Sequence, residues 1–144
     1  MKGIIDKTTC VAKILGVNDE LLDLKIRELR SNIEKLKKTK MLVKKKKKIL
    51  LILMMRGTSP IIAGSNTAGD GFIQMTGNLN AFSDVEGWKP VGIESILSID
   101  PDVIILTKRG ISGFENTNDF LAQSGLSLTK AGKTGALIVA DTMA

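Results

Sequence analysis

The sequence predicts a small α/β unit with a mostly parallel sheet. Three apolar runs, at residues 49–55, 103–106 and 136–140, have the length and β-branched content of buried strands. Segments with helical periodicity separate them, which is the pattern of a parallel sheet with crossover helices. At 144 residues and 43% hydrophobic content, the chain is long enough to bury one core.

Residues 6–15 read as a short helix anchored by Ala12, Ile14 and Leu15 and stopped by Gly16. Cys10, within it, reads as a small buried hydrophobe. Leu22, Ile26, Leu29, Ile33 and Leu36 then recur at steps of four and three, which places one apolar face on a helix over about 19–38. Asn18 suits its cap, and Asp19 and Glu20 suit its positive end. Five consecutive lysines at 44–48 repel one another and favour solvent, so they read as a wet connector into the strand at 49–55. That strand delivers Arg56, Gly57, Thr58, Ser59 and Pro60 to its carboxyl end, the edge where open α/β sheets meet their ligands. Residues 61–63 continue as a short strand or extended segment, and Gly64, Ser65 and Asn66 mark a turn. Thr67 caps a helix over about 68–75, stopped by Gly77 and Asn78. A short helix after Pro90 carries Ile93, Ile96 and Leu97 inward and Glu94 to another side. Asp100, Pro101 and Asp102 form a turn in preference to a metal site. The strand at 103–106 ends in Thr107, Lys108, Arg109 and Gly110, a helix occupies 116–123, and a last strand runs over 136–140.

The formal net charge of +6 is concentrated in Lys35, Lys37, Lys38, Lys40 and the run at 44–48. Without interleaved aromatic residues this cluster does not describe a base-binding surface, and no nucleic-acid partner is expected. A small basic nucleic-acid or adaptor domain stays as the reading from another class. With no histidine and one cysteine, the chain holds neither a disulfide framework nor a cysteine–histidine metal site. Asp70, Asp84, Glu86, Asp100 and Asp102 show no acid–base spacing, GSNTAGDG lacks the GK[ST] ending of a phosphate loop, and Ser59 lacks a nucleophile elbow. An enzyme is not expected. The start MKGIIDKTTC lacks the apolar core of a secretory signal, and the seven apolar residues at 49–55 are too few to cross a bilayer.

The stretches MMRGTSPIIAGSNTAGDGFIQMTGNLNAF and GWKPVGIESILSIDPDVIILTKRG and, more loosely, LAQSGLSLTKAGKTGALIVAD resemble the periplasmic substrate-binding proteins of haem (hemin) ABC importers. These belong to a larger family that also binds ferric siderophores and cobalamin. The resemblance implies one three-layer lobe of a helical-backbone (class III) binding protein. Residues 1–17 would be the end of the inter-lobe linker helix and 18–144 the C-terminal lobe without its terminal helix. The first lobe, which commonly supplies an axial tyrosine, would precede Met1, or be encoded separately.

On the same resemblance, Ser59, Pro60, Ala63 and Gly64 form the cleft-facing loop, and Arg56 and Arg109 meet haem propionates. Trp88 lines the cleft mouth, and Glu94 docks on the membrane permease. Thr67, Gly77 and Asn80 match family positions, and Asn78 replaces a second glycine. The implied action is capture of haem as transported ligand, with no covalently bound cofactor, followed by delivery to the permease in the periplasm of a full-length protein. A ferric siderophore is the alternative cargo, and a nonfunctional remnant is the alternative status.

Overall fold

The computed structural model describes residues 2–41, 43–56 and 58–141. Its internal packing separates two compact units, Met1–Leu42 and Val43–Ala144. The first unit holds helix α1, Lys2–Ile14, and helix α2, Asp19–Met41, which pack against one another. Gly16 adopts φ 64° in the turn between them, and the Asn18 side chain accepts the Glu20 N–H at 2.7 Å, the cap that the sequence predicts. Ala12, Leu22 and Ile33 are buried, whereas Ile14 and Leu15 are 78% and 72% exposed and Leu36 is exposed as well. Cys10 is also exposed, contrary to its reading as a buried hydrophobe. Two helical positions from Ala12, it lies near the opposite face from the one that Ala12 buries.

The second unit is organised on β1, Lys48–Arg56. Its residues Ile49 to Met55 alternate between two faces, and from Ile49 to Ile52 both faces are covered, which is why that part of the run is apolar without interruption. The chain then folds back as β2, Ser59–Ala63, antiparallel to β1 with Arg56 opposite Ser59 and Ile52 opposite Ile62. Helix α3, Ala68–Met75, follows, and Thr67 caps it by accepting the Asp70 N–H at 3.0 Å. Next come β3, Leu79–Asn80, parallel to the start of β1, and β4, Trp88–Pro90, antiparallel to β2. Helix α4, Ile93–Ile99, leads to β5, Val103–Thr107, parallel to β1. Three short helices, α5 (Lys108–Ile111), α6 (Thr117–Gln123) and α7 (Lys130–Thr134), precede β6, Leu137–Ala140, parallel to β5. Among the described residues the sheet order is β4-β2-β1-β5-β6, with β3 beside the start of β1. The three strands expected from the sequence are present. Residues 61–63, read as a short strand or extended segment, lie in β2; its antiparallel pairing and the strand β4 are additions that periodicity does not reveal in segments so short.

One face of the sheet buries Leu50, Ile52, Ile104 and Leu106 under Ile96 of α4, Phe120 of α6 and Ala131 of α7. Phe114 meets the Phe120 ring edge-on at 5.0 Å between centroids. The other face packs Ile49, Leu51 and Ile105 with Ala63 and with Ile73 of α3. Helix α3 approaches closely because Gly69 has no side chain: a Cβ there would lie 2.6 Å from the Ala63 Cβ and 3.1 Å from the Trp88 ring. Asn80, itself buried, ties this layer together: its Nδ2 donates to the Ala63 carbonyl and to Asp70 Oδ1, both at 3.0 Å, and its Oδ1 accepts the Phe82 N–H. Gln74 donates to the other Asp70 oxygen, so the buried carboxylate is satisfied by amides.

Polar groups fix the two ends of the parallel strands. At the amino edge, Asp102 accepts the Lys48 N–H at 2.9 Å and the Lys130 ammonium, and its own N–H donates to the Lys48 carbonyl. The Lys130 ammonium and then the Lys48 N–H hold the Asp102 carboxyl below its ordinary range. Asp100 accepts the Lys130 N–H at 2.7 Å, so the two aspartates flanking Pro101 build the turn that the sequence predicts. At the carboxyl edge, β1 carries a bulge between Ile52 and Met54. The buried Thr107 hydroxyl donates to the Leu53 carbonyl within that bulge and accepts the Gly110 N–H at 3.0 Å, capping α5.

Replacing Thr107 with valine removes the bulge's side-chain donor and the cap together, and unfolding in urea should show a loss of about 1–3 kcal/mol, largely avoided by serine. Gly64 is confined by backbone: a Cβ would sit 2.0 Å from the Val85 carbonyl oxygen and 2.8 Å from that of Gly87. Gly64→Ala should therefore cost about 2–4 kcal/mol in the same measurement, because backbone cannot move aside as a flexible side chain can.

Candidate functional site

The carboxyl edge of the parallel strands gathers the termini of β1, β5 and β6 into one rim. Because β2 returns antiparallel from the end of β1, its first residues, Ser59 and Pro60, also belong to this rim. Ser59 is half-buried, while Pro60 is buried and its carbonyl accepts the Val91 N–H at 3.0 Å. The Arg56 backbone ends β1 opposite Ser59, and its side chain lies outside the described residues. Arg109 is exposed on α5, one residue beyond Lys108, which forms an ion pair with Asp141 after β6 at 2.5 Å. That pair balances one cation of the rim. Arg109 adds an exposed guanidinium, a planar fork suited to carboxylates.

Four of the predicted site residues, Arg56, Ser59, Pro60 and Arg109, thus fall at one edge. Ala63, Gly64 and Trp88 fall elsewhere, because β2 runs away from the rim. Ala63 is buried opposite Trp88 in the β2–β4 pairing. The Gly64 N–H donates to the Gly87 carbonyl at 3.0 Å, and Ser65 and Gly87 continue the exchange. These contacts make Gly64 a close-packing residue. Trp88, 38% exposed, instead borders an apolar groove of about 400 Å³ on the α3 face, with Leu51, Leu53, Phe72 and Ile105. The groove reaches the rim at Thr107 and Asp141.

Glu94 stands in the first turn of α4, exposed, with a carboxylate oxygen close enough to Gly92 to meet a Cβ there at 2.8 Å. Helix α4 starts beside the rim, where Val91 bonds to Pro60, and ends at the amino edge, where the Ile99 carbonyl accepts the Lys48 ammonium. Glu94 is therefore on the rim side of the lobe. The sequence reading missed Thr107, although a threonine between a strand and a helix is a cap signal. It also missed the Lys108–Asp141 pair, whose partners are 33 residues apart and meet only through the β5–β6 register. Among the described residues, no group of three or more histidine, cysteine or acidic side chains forms a metal cluster, and no helix is long and apolar enough to cross a membrane.

The three-layer lobe with its open, mostly parallel sheet has counterparts among known proteins. The pattern of the periplasmic binding protein family matches residues 2–144. No curated protein sequence matches the chain. Among solved structures, the chain is similar to the periplasmic heme-binding protein BhuT in complex with two hemes, at 25% identity and TM-score 0.82, covering 99% of this chain and 54% of that one. A periplasmic heme-binding protein from Pseudomonas aeruginosa gives 25% identity and TM-score 0.76, covering 97% and 51%. The fold is also that of the periplasmic heme-binding protein RhuT from Roseiflexus sp. RS-1 in apo form, at 24% identity and TM-score 0.83, covering 95% and 52%. The chain spans about half the length of these structures. With an α/β lobe of the class III type and a family match from residue 2 to residue 144, this chain belongs to the periplasmic binding protein family.

Proposed function

We propose that the chain is the C-terminal lobe of the substrate-binding component of a haem importer, with its cationic rim as one wall of the haem cleft. The observation that carries this reading is the cationic strand-end rim of a chain whose similarity to periplasmic heme-binding proteins extends over nearly all its residues. Residues 1–17 are then the end of the helix that joins two lobes, and 18–144 belong to the C-terminal lobe. Arg56 and Arg109 bind the haem propionates, because a guanidinium pairs with a carboxylate through two parallel hydrogen bonds. Ser59 supplies a hydroxyl at the same edge, and Pro60 holds the β2 start in place through its carbonyl. Ala63 and Gly64 act from behind the rim by fixing the loop that follows β2. Trp88 contributes an apolar ring at the side of the lobe. The chain contains neither histidine nor tyrosine, so within this reading the iron's axial ligand comes from the facing lobe.

Delivery uses a different surface. Glu94 projects from the first turn of α4 as an exposed carboxylate and docks on cationic groups of the permease. No covalent step is involved: the lobes close on the ligand, the complex docks, and the ligand leaves through the permease. The setting is the periplasm of a full-length protein.

Titration with hemin, followed by the Soret band, tests the capture reading with the chain alone and with a facing lobe added. A saturable one-to-one change with the added lobe is the expected result, and Arg56→Ala and Arg109→Ala should each weaken it about tenfold. Absence of any saturable change with hemin, together with quenching of Trp88 by a ferric siderophore, would assign the other cargo. Glu94→Gln should leave the hemin titration unchanged while weakening docking on permease vesicles about tenfold. Unchanged docking in that variant would remove Glu94 from the delivery surface.

A further inference from the structure

We infer that the lysine-rich segment entering β1 is a second interaction surface, one that binds the anionic headgroups of a phospholipid bilayer. Residues 35–48 hold nine of the chain's 21 basic residues and no acidic residue. The rest of the chain therefore carries 12 basic against 15 acidic residues, and the positive charge of the molecule is a property of this one segment. Lys37 is partly balanced by Glu34 on its own helix. Lys44, Lys45, Lys46 and Lys47 are exposed, and among the described residues none of them is in an ion pair.

The segment is fixed to the lobe at its far end. The Lys47 N–H donates to Asn78 Oδ1 at 3.0 Å, and the Lys47 carbonyl accepts the Leu79 N–H. Lys48 is held by Asp102 through its backbone and by the Ile99 carbonyl through its ammonium. The nearby Asp102 carboxylate is engaged by Lys130 and the Lys48 N–H, and among the preceding lysines it feels Lys45 through charge alone, as the least of its influences. These bonds tie the basic run to the amino edge of the strands, opposite the rim. Contact with a surface there leaves the candidate cleft uncovered.

The composition selects the kind of polyanion. Lysine is a compact point charge without the planar fork of arginine, so a row of lysines suits a diffuse anionic surface better than a shaped site. Residues 35–48 contain no aromatic side chain on which a base could stack. A row of unshaped cations suits the evenly charged headgroups of an anionic bilayer.

Co-sedimentation of the full chain with phosphatidylcholine vesicles, with and without about 30 mol% phosphatidylglycerol, tests the assignment. Binding is expected only to the anionic vesicles, and it should be largely lost when sodium chloride rises from about 0.1 to 0.5 M. The K44Q/K45Q/K46Q/K47Q variant should bind at least about 100-fold more weakly, since each lysine near the surface contributes to the attraction. The corresponding four lysine-to-arginine changes should retain binding. Matching circular dichroism spectra would show that the variants are folded. Equal binding to neutral vesicles, wild-type binding by the glutamine variant, or tighter binding to duplex DNA than to the anionic vesicles at the same salt would each overturn the proposal.

Discussion

The second unit depends on one constraint: β1 is apolar on both faces, so both faces must be covered and its polar backbone must be paired. Three neighbours share that task. β2 pairs along its later residues, β3 along its first two, and β5 along the opposite edge. Helices then cover the faces, α4, α6 and α7 on one side and α3 on the other, and the loops between these elements carry the polar groups. Burying this strand without pairing its N–H and C=O groups would cost more than its side chains contribute, so the arrangement of neighbours is as important as the apolar run.

Much of this arrangement is legible in the sequence, and the exceptions have physical causes. The strands β1, β5 and β6 are runs of apolar residues with turn signals around them, and α2 and α3 have both periodicity and caps. By contrast, β3 has two residues and β4 has three, too short for a period to register. The antiparallel return of β2 depends on which edge of β1 is free, which no local pattern encodes. At the rim, the strand-end positions of Arg56, Ser59 and Arg109 follow from the general geometry of parallel sheets. The bulge at Leu53 does not, because the run from Ile49 to Met55 has no polar residue to mark a change of phase. Cys10 was misread for a related reason: composition ranks cysteine with buried residues, but a helix with one covered side leaves half of its positions to solvent.

Charge is divided between the two edges of the sheet in different forms. At the carboxyl edge, Lys108 is balanced by Asp141 beside the exposed Arg109, which favours discrete anionic groups of defined geometry. At the amino edge, Lys44 to Lys47 are contiguous and among the described residues in no ion pair, which favours an extended field over any particular contact. Separating the two by the length of the strands keeps their electrostatic effects distinct at physiological ionic strength, where screening acts over about 8 Å. A nine-residue β1 is several times that length.

The reversal between β1 and β2 has a consequence for how such a lobe can be altered. A parallel strand is followed by a crossover whose length is set by the need to traverse the sheet. The connection from β1 to β2 has no such task, since it only joins neighbouring antiparallel strands. Extra residues placed between Arg56 and Ser59 would lengthen that connection without changing the register of Ile52 with Ile62 or of Ile52 with Leu106. The antiparallel pair is thus a graft point: a place where sequence can be exchanged while the load of folding stays with the strands behind it.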